Sequence, residues 1–232
     1  MITCDNEVTS AGVAFRKNQR GHIRIGRMIR QDVALALREW LEQQRSWELR
    51  LSDGQRILGL SAADYRACSV ADLREFTEIA YSAARHGFAF LREELASVNL
   101  RDRGLRGPLG EVLDCLGTRE FKRGIATIVG SHSVELVRLG LERYRCGHFY
   151  AFTCGAPNDA QIGFSLDLTD AWPAVWGGLL QFADFLGSVE YGYVPDFNTL
   201  VIYDLQKPRS ISYVAPLTQS VRYSLVGQLR LI

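Results

Sequence analysis

The sequence has few of the residues that mark a metal centre or a disulfide framework. None of its four histidines is followed two positions later by Asp or Glu, so the His-x-acid pair that supplies two ligands to many metal sites is missing. The five cysteines are an odd number without Cys-x-x-Cys spacing, which argues against a structural zinc site and a disulfide scaffold. We therefore expect reduced thiols.

The chain also lacks an excess of either charge and any long hydrophobic run. It has 27 Lys and Arg against 26 Asp and Glu, a formal net charge of +1, so no bulk field favours nucleic acid or an anionic membrane. No stretch approaches 18 uninterrupted apolar residues, and residues 1–12 lack the basic and then apolar segments of a signal peptide. We expect a cytoplasmic protein without nucleic-acid or membrane partners.

What is present is ordinary globular composition: 232 residues, 47% hydrophobic and 23% charged, enough for one sizeable domain. Residues 1–19 are polar and aperiodic, and we predict a flexible N-terminus there. Residues 20–133 are predicted to be mostly helical support. Residues 134–232 alternate short apolar runs with Gly, Pro and Asn turns, a rhythm typical of a strand sandwich or barrel.

Two N-cap signals place helices in the first half. Ser69, with Asp72 three positions later, predicts the start of a long helix. That helix ends at Gly87 or continues through Phe88–Leu91. Thr118 is predicted to cap the second of two short helices that meet beside it.

Periodicity predicts the remaining elements. A short strand over 22–29 precedes an amphipathic helix over 30–47. Short strands are predicted beyond residue 133 over Val134–Tyr144, His148–Phe152, Gln161–Leu168, Gly178–Phe182, Thr199–Asp204, Ser212–Pro216 and Tyr223–Leu231.

Four segments of the second half carry a family resemblance. They are RYRCGHFYAF (143–152), FSLDLTDAWPAVWGGLLQF (164–182), PDFNTLVIYDL (195–205) and SVRYSLVGQLR (220–230). Their order, their spacing and a Trp-x-x-x-Trp-Gly-Gly signature resemble the bacterial, prolyl-hydroxylase-like branch of the iron(II)- and 2-oxoglutarate-dependent dioxygenases. The resemblance covers roughly residues 20–232. It implies an α+β fold that is mainly β: a double-stranded β-helix, or jelly roll, buttressed by N-terminal helices.

The resemblance also implies a metal site, which this chain departs from. The family holds iron(II) with two His and one carboxylate and leaves positions open for cosubstrate and oxygen. Those three ligand positions fall on Thr153, Gly155 and Ser212. Glycine has no side chain, and hydroxyls are poor iron ligands. We expect no metal ligands and no cofactor, although iron(II) and 2-oxoglutarate are the family's cofactors.

The cosubstrate pocket implied by the resemblance is half retained. Arg222 and Ser224 stand where the family places the Arg and Ser that bind the distal carboxylate of 2-oxoglutarate. Asp167 replaces the Tyr that usually bonds the same carboxylate. An acid there repels a dicarboxylate and attracts a guanidinium, so we predict that Asp167 pairs with Arg222 and occupies the pocket internally. Tyr144 is a further predicted pocket residue.

Three functions remain open. The favoured one is a pseudo-oxygenase that serves as a binding or assembly partner of an active homologue or another protein in a biosynthetic pathway, as a homo- or hetero-oligomer. The second is a metal-independent isomerase, cyclase or lyase with a small molecule in the jelly-roll cavity. Its acid–base candidates are Asp167, Tyr144 and Cys154, although a lone cysteine is more often inert. The weakest is residual hydroxylation through an atypical metal site.

Two observations would separate the first two functions. A retained, closed cavity lined by polar groups favours chemistry. A collapsed cavity with a large exposed apolar patch favours a partner role.

Overall fold

Twelve antiparallel strands form one strongly curved sheet in the computed structural model, which describes residues 15, 21–95, 107–156 and 159–232. The predicted flexible segment, residues 1–19, lies outside the described residues except for Phe15. The strands are β1 His22–Gly26, β2 Trp47–Ser52, β3 Ile57–Leu60, β4 Phe90–Leu95, β5 Val134–Tyr144, β6 Phe149–Thr153, β7 Ile162–Asp167, β8 Leu180–Ala183, β9 Val189–Tyr193, β10 Thr199–Asp204, β11 Arg209–Ile211 and β12 Arg222–Leu231.

Five described α-helices accompany the sheet. They are α1 Gln31–Gln43, α2 Ala62–Ala67, α3 Val70–Ala84, α4 Pro108–Gly117 and α5 Arg119–Val129; a short 3₁₀ helix spans Ala174–Trp176. None of these helices is long and apolar enough to cross a membrane.

The strand order makes the sheet a jelly roll. One layer runs β1-β10-β7-β12-β5, and the other runs β6-β11-β8-β9. Strand β4 joins the layers because it pairs with both β5 and β6. The predicted fold class is confirmed: mainly β, a jelly roll with helices packed on one side.

The main apolar core lies outside the roll, between its larger layer and the helices. Alternate residues of β5, β7, β10 and β12 point to this side, as period-2 patterning requires. They pack against apolar side chains of α1, α4 and α5, such as Leu37, Val112 and Ile125. The sheet residues of this core include Leu139, Leu141, Phe164, Leu166, Leu200, Ile202 and Leu225. The other face of the same strands turns inward, and that face carries the candidate site.

A second, smaller core lies where helix α3 covers strands β2 and β4. Leu49, Leu51 and Leu91 from the strands are fully buried with Ala80 from the helix. The predicted caps are present: the Ser69 Oγ accepts the Asp72 N–H at 3.1 Å, and the Thr118 Oγ accepts the Phe121 N–H at 3.1 Å. Each cap satisfies one free N–H of the first helical turn.

Several predicted boundaries are wrong. Helix α1 ends at Gln43 rather than residue 47, because Trp47 already begins β2. The long helix ends at Ala84, and Phe90 begins β4 instead of continuing the helix. Strands β2, β3, β4 and β9 were not predicted. The predicted strand over Ser212–Pro216 is reduced to a single bridge at Val214, and the strand itself lies earlier, at Arg209–Ile211.

Candidate functional site

Arg222 and Asp167 are buried side by side at the start of β12 and the end of β7. The Asp167 Oδ2 accepts hydrogen bonds from the Arg222 Nη2 at 3.1 Å and Nε at 3.3 Å. The Arg222 Nη1 donates to the Gly178 carbonyl at 2.5 Å, and the Asp167 Oδ1 accepts the Thr169 backbone N–H at 3.1 Å. The contact predicted from the sequence is therefore present.

Burial makes this pair mutually dependent. Arg222 is 2% exposed and Asp167 is 5% exposed. Burial raises the pKa of Asp167, while the Arg222 guanidinium and the hydrogen bonds from Thr169 oppose the shift. Removing either partner would leave an uncompensated buried charge, which typically costs about 3–5 kcal/mol. An incoming dicarboxylate would have to displace Asp167 from the guanidinium.

Two glycines bring the chain close enough to hold Arg222. Gly177 and Gly178 both have positive φ, 68° and 64°, a region that favours glycine. A Cβ on Gly177 would lie 2.0 Å from the Tyr213 carbonyl oxygen, so no larger residue fits. The Trp172 Nε1 donates to the Gly177 carbonyl at 2.8 Å, which fixes the turn. The Trp-Gly-Gly motif is therefore structural: it places the Gly178 carbonyl against the guanidinium.

The three implied metal-ligand positions have other roles. Thr153 ends β6 opposite Arg209 of β11. Gly155 has a φ of 77°, and its N–H donates to the Leu205 carbonyl at 2.5 Å. The Ser212 Oγ accepts the Leu179 backbone N–H at 3.0 Å.

Arg209 places a positive charge beside two of these positions. Its Nη2 donates to the Gly155 carbonyl at 3.3 Å, its Nη1 donates to the Leu205 carbonyl at 3.1 Å, and its guanidinium lies 5.5 Å from the centre of the Tyr203 ring. A guanidinium there repels a second cation. Within the described part of the chain, no three His, Cys, Asp or Glu side chains are grouped so that they could hold a metal ion. These residues do not fit iron(II).

The roll retains a small polar cavity of about 90 Å³. Strands of both layers line it, and its wall mixes charged, aromatic and apolar side chains. The charged and polar members are Arg92, Arg138, Glu142, Tyr144, Tyr150, Ser165, Tyr203, Arg209, Ser210 and Gln228.

Tyr144, Glu142 and Arg92 form a connected polar group on the cavity wall. The Tyr144 hydroxyl donates to the Glu142 Oε2 at 3.0 Å, and the Arg92 Nη1 lies 3.2 Å from the Glu142 Oε1. Burial, reinforced by the Glu142 charge, raises the pKa of Tyr144 well above its ordinary value. Tyr144 therefore stays protonated and acts as a hydrogen-bond donor.

Two remaining candidates, Ser224 and Cys154, make no described side-chain hydrogen bond to this group. Ser224 faces Glu142 on one neighbouring strand and Asp167 on the other; it is 2% exposed, and its Oγ has no hydrogen-bond partner among the described residues. Cys154 is an exposed free thiol just after β6. Their predicted roles stay predictions.

Comparison with known protein families gives a match to one family model over part of the chain. The model of the 2OG-Fe(II) oxygenase superfamily matches residues 139–230, which include the second half of β5, all of β6 to β11 and nearly all of β12. No curated protein was found to match the sequence.

Solved structures with the same fold cover nearly the whole chain. A 2OG-Fe(II) oxygenase family oxidoreductase from Burkholderia pseudomallei is 12% identical with a TM-score of 0.61, covering 96% of this chain and 90% of its own. A prolyl-4-hydroxylase from Pseudomonas putida is 14% identical with a TM-score of 0.58, covering 97% and 99%. The Trichoplax adhaerens prolyl hydroxylase, solved with a hypoxia inducible factor peptide fragment, is 16% identical with a TM-score of 0.60, covering 97% and 91%. The fold is the 2OG-Fe(II) oxygenase jelly roll.

Motifs of the 2OG-Fe(II) oxygenase fold located Arg222 and Asp167, but sequence reasoning missed Glu142, Arg92 and Arg209. The sequence signal that could have found Glu142 is the alternation of polar and apolar residues along β5. Arg138, Glu142 and Tyr144 fall on one face of β5, opposite the apolar face of Leu139 and Leu141. In an open sheet such a polar face meets water. Only closure of the jelly roll turns it into the wall of a cavity.

Proposed function

We propose that this chain is a 2OG-Fe(II) oxygenase-superfamily protein that does not carry out iron- and 2-oxoglutarate-dependent oxidation, and that it acts as a binding or assembly partner. The observation that carries the proposal is the Asp167–Arg222 ion pair, in which Asp167 occupies the arginine that the family resemblance assigns to the cosubstrate carboxylate. Arg209 beside Thr153 and Gly155 supports it, since a fixed cation stands next to two of the family's three metal-ligand positions.

An exposed hairpin supports the partner role. Phe185 is 73% exposed and Leu186 is 93% exposed, at the tip between β8 and β9. Strand β9 ends the sheet order, so one of its edges is unpaired with any described strand. Apolar side chains beside an unpaired strand edge are typical of an interaction surface. We propose that an active homologue or another protein of a biosynthetic pathway docks there.

Anaerobic titration with iron(II) and 2-oxoglutarate tests the loss of oxygenase chemistry. Wild type is expected to give no metal-to-ligand charge-transfer band. Asp167→Asn leaves Arg222 without its counter-charge, so 2-oxoglutarate is expected to raise the melting temperature of this variant and not that of wild type. Asp170→Asn is the matched control, because Asp170 is exposed and should leave the response at the wild-type level.

Either of two results would contradict the proposal. One is a charge-transfer band in wild type. The other is electron density for 2-oxoglutarate against Arg222 with Asp167 turned away.

Co-purification from the native source tests the partner role. Phe185→Ser combined with Leu186→Ser is expected to leave the melting temperature unchanged, because both side chains are exposed, and to abolish the association. Val70→Ser, an equally exposed change at the start of α3, is expected to retain it. Equal association of both variants would show that the hairpin is not the docking surface.

A second candidate function rests on the retained polar cavity, the observation expected of a catalytic role, and on the Tyr144–Glu142 hydrogen bond in its wall. A protonated phenol held against a carboxylate beside a polar cavity could serve metal-independent isomerisation, cyclisation or elimination. Bound small molecule recovered from the native protein, followed by its turnover in wild type and not in Tyr144→Phe, would favour this candidate over the non-catalytic one.

A further inference from the structure

Arg209 is a buried cation whose described hydrogen-bond partners are neutral. It is 8% exposed, and its two Nη atoms bond to the carbonyls of Leu205 and Gly155. No ion pair joins it to a carboxylate within the described ranges. A buried charge without a counter-ion is costly unless an anion approaches it.

The other positive charges on the cavity wall are already compensated. Arg92 pairs with both Glu142 and Glu94, and Arg138 lies 3.8 Å from the same Glu94. Two arginines are thus matched by two carboxylates. Arg209 remains, so the cavity has an excess of one positive charge and favours a monoanion over a dianion.

The size of the cavity limits the ligand. Its volume is about 90 Å³, well above the roughly 10–15 Å³ that one water molecule needs on this measure. A two-carbon carboxylate fits within that space.

Gln228 adds a second recognition group. It lines the cavity, and its buried Oε1 has no hydrogen-bond partner among the described residues. A buried acceptor without a donor is unfavourable, so a ligand hydroxyl that donates to it would be stabilised. Planar rings of Tyr150 and Tyr203 form adjacent walls.

We propose that this cavity binds a small monocarboxylate, with its carboxylate on Arg209 and a hydroxyl group on Gln228. The site is distinct from the Arg222 pocket, which Asp167 fills. The inference rests on the proposal that the roll interior works without iron, and it supplies a ligand class for the binding role.

Calorimetric titration with acetate, glycolate and 2-oxoglutarate at constant ionic strength tests the site. We expect acetate and glycolate to bind with roughly millimolar dissociation constants, glycolate more tightly. Arg209→Gln is expected to weaken both at least tenfold. Arg230→Gln is the control and is expected to have no effect. Arg230 lies on β12 and forms an ion pair with Glu135 outside the cavity.

A second variant keeps the test decisive if Arg209→Gln does not fold. Gln228→Met preserves the side-chain volume and is expected to remove the preference for glycolate while acetate still binds. Failure of acetate and glycolate to bind wild type, or equal binding by wild type and the folded variants, would overturn the inference. Binding of 2-oxoglutarate that depends on Arg222 would instead overturn the proposed function, so the two failures are distinguishable.

Discussion

At the residue scale, Asp167 compensates Arg222, and removing that carboxylate tests how much the pair contributes. Asp167→Asn is expected to lower the free energy of unfolding by about 3–5 kcal/mol, because it leaves a buried guanidinium uncompensated. Asp170→Asn, whose carboxylate is exposed and 3.7 Å from Arg38, should cost less than about 1 kcal/mol. Urea denaturation measures both. Equal losses would mean that Arg222 is stabilised by the Gly178 carbonyl alone.

Local complementarity explains why this pair was predictable and Arg209 was not. An acid replacing a tyrosine beside a motif arginine is visible in the sequence, and both residues belong to adjacent strands of one layer. Arg209 is placed in the cavity wall by the pairing of β6 with β11 and by its hydrogen bonds to the carbonyls of Leu205 and Gly155. Those contacts require the closed roll. No spacing rule in the sequence reveals them.

At the element scale, a glycine of β12 makes room for an aromatic ring of the neighbouring strand β7. Gly227 is directly opposite Phe164, and a Cβ there would lie 2.2 Å from the ring. Gly227→Ala is therefore expected to destabilise the protein by about 1–3 kcal/mol, since the ring must move.

Gly140 of β5 is the matched control for this effect. A Cβ there would meet Val226 at an ordinary 3.8 Å, so Gly140→Ala should be neutral or stabilising by up to about 1 kcal/mol through reduced backbone entropy. Thermal unfolding of the two variants distinguishes the signs. If both stabilise, Phe164 has room that the structure does not show.

Elements whose stabilising contacts lie within a few residues could be predicted from the sequence. Strands that depend on pairing with a distant strand could not. Thr118 and Ser69 cap their helices through bonds within four residues, so the sequence contains the whole reason. Strand β2 alternates Trp47, Leu49 and Leu51 immediately after a helix, and it exists because β4 pairs with it in register. That partner lies about 40 residues later, beyond the reach of a local pattern.

At the scale of the whole molecule, the main apolar core lies outside the roll, and several buried charged side chains lie inside it. Arg92, Glu142, Asp167 and Arg222 are all buried in the inner face, whereas the helices cover the apolar outer face. In such an interior, each charge that loses its partner destabilises the fold. We therefore expect global stability to depend on pH through the few buried groups whose pKa differs between folded and unfolded chain.

His148 is one such buried group, and its surroundings lower its pKa. Burial, followed by the positive charge of Arg145, lowers its pKa to about 3, against an opposing hydrogen bond with the Arg143 backbone. A depressed folded-state pKa means that the neutral ring stabilises the fold above the unfolded pKa of about 6.5. That contribution is lost progressively as pH falls from about 6.5 towards 3.

Between pH 7 and pH 5 the contribution of His148 to the free energy of unfolding should fall by about 2 kcal/mol. The reason is that the histidine binds a proton in the unfolded chain but not in the folded chain over this range. Urea denaturation across this range is expected to show a shallower decline for His148→Gln than for wild type, whatever the variant's stability at pH 7. His132→Gln changes an exposed histidine and should keep the wild-type slope. A His148→Gln slope equal to that of wild type would mean that the ring accepts its proton within the fold, which its buried position beside Arg145 and Arg143 opposes.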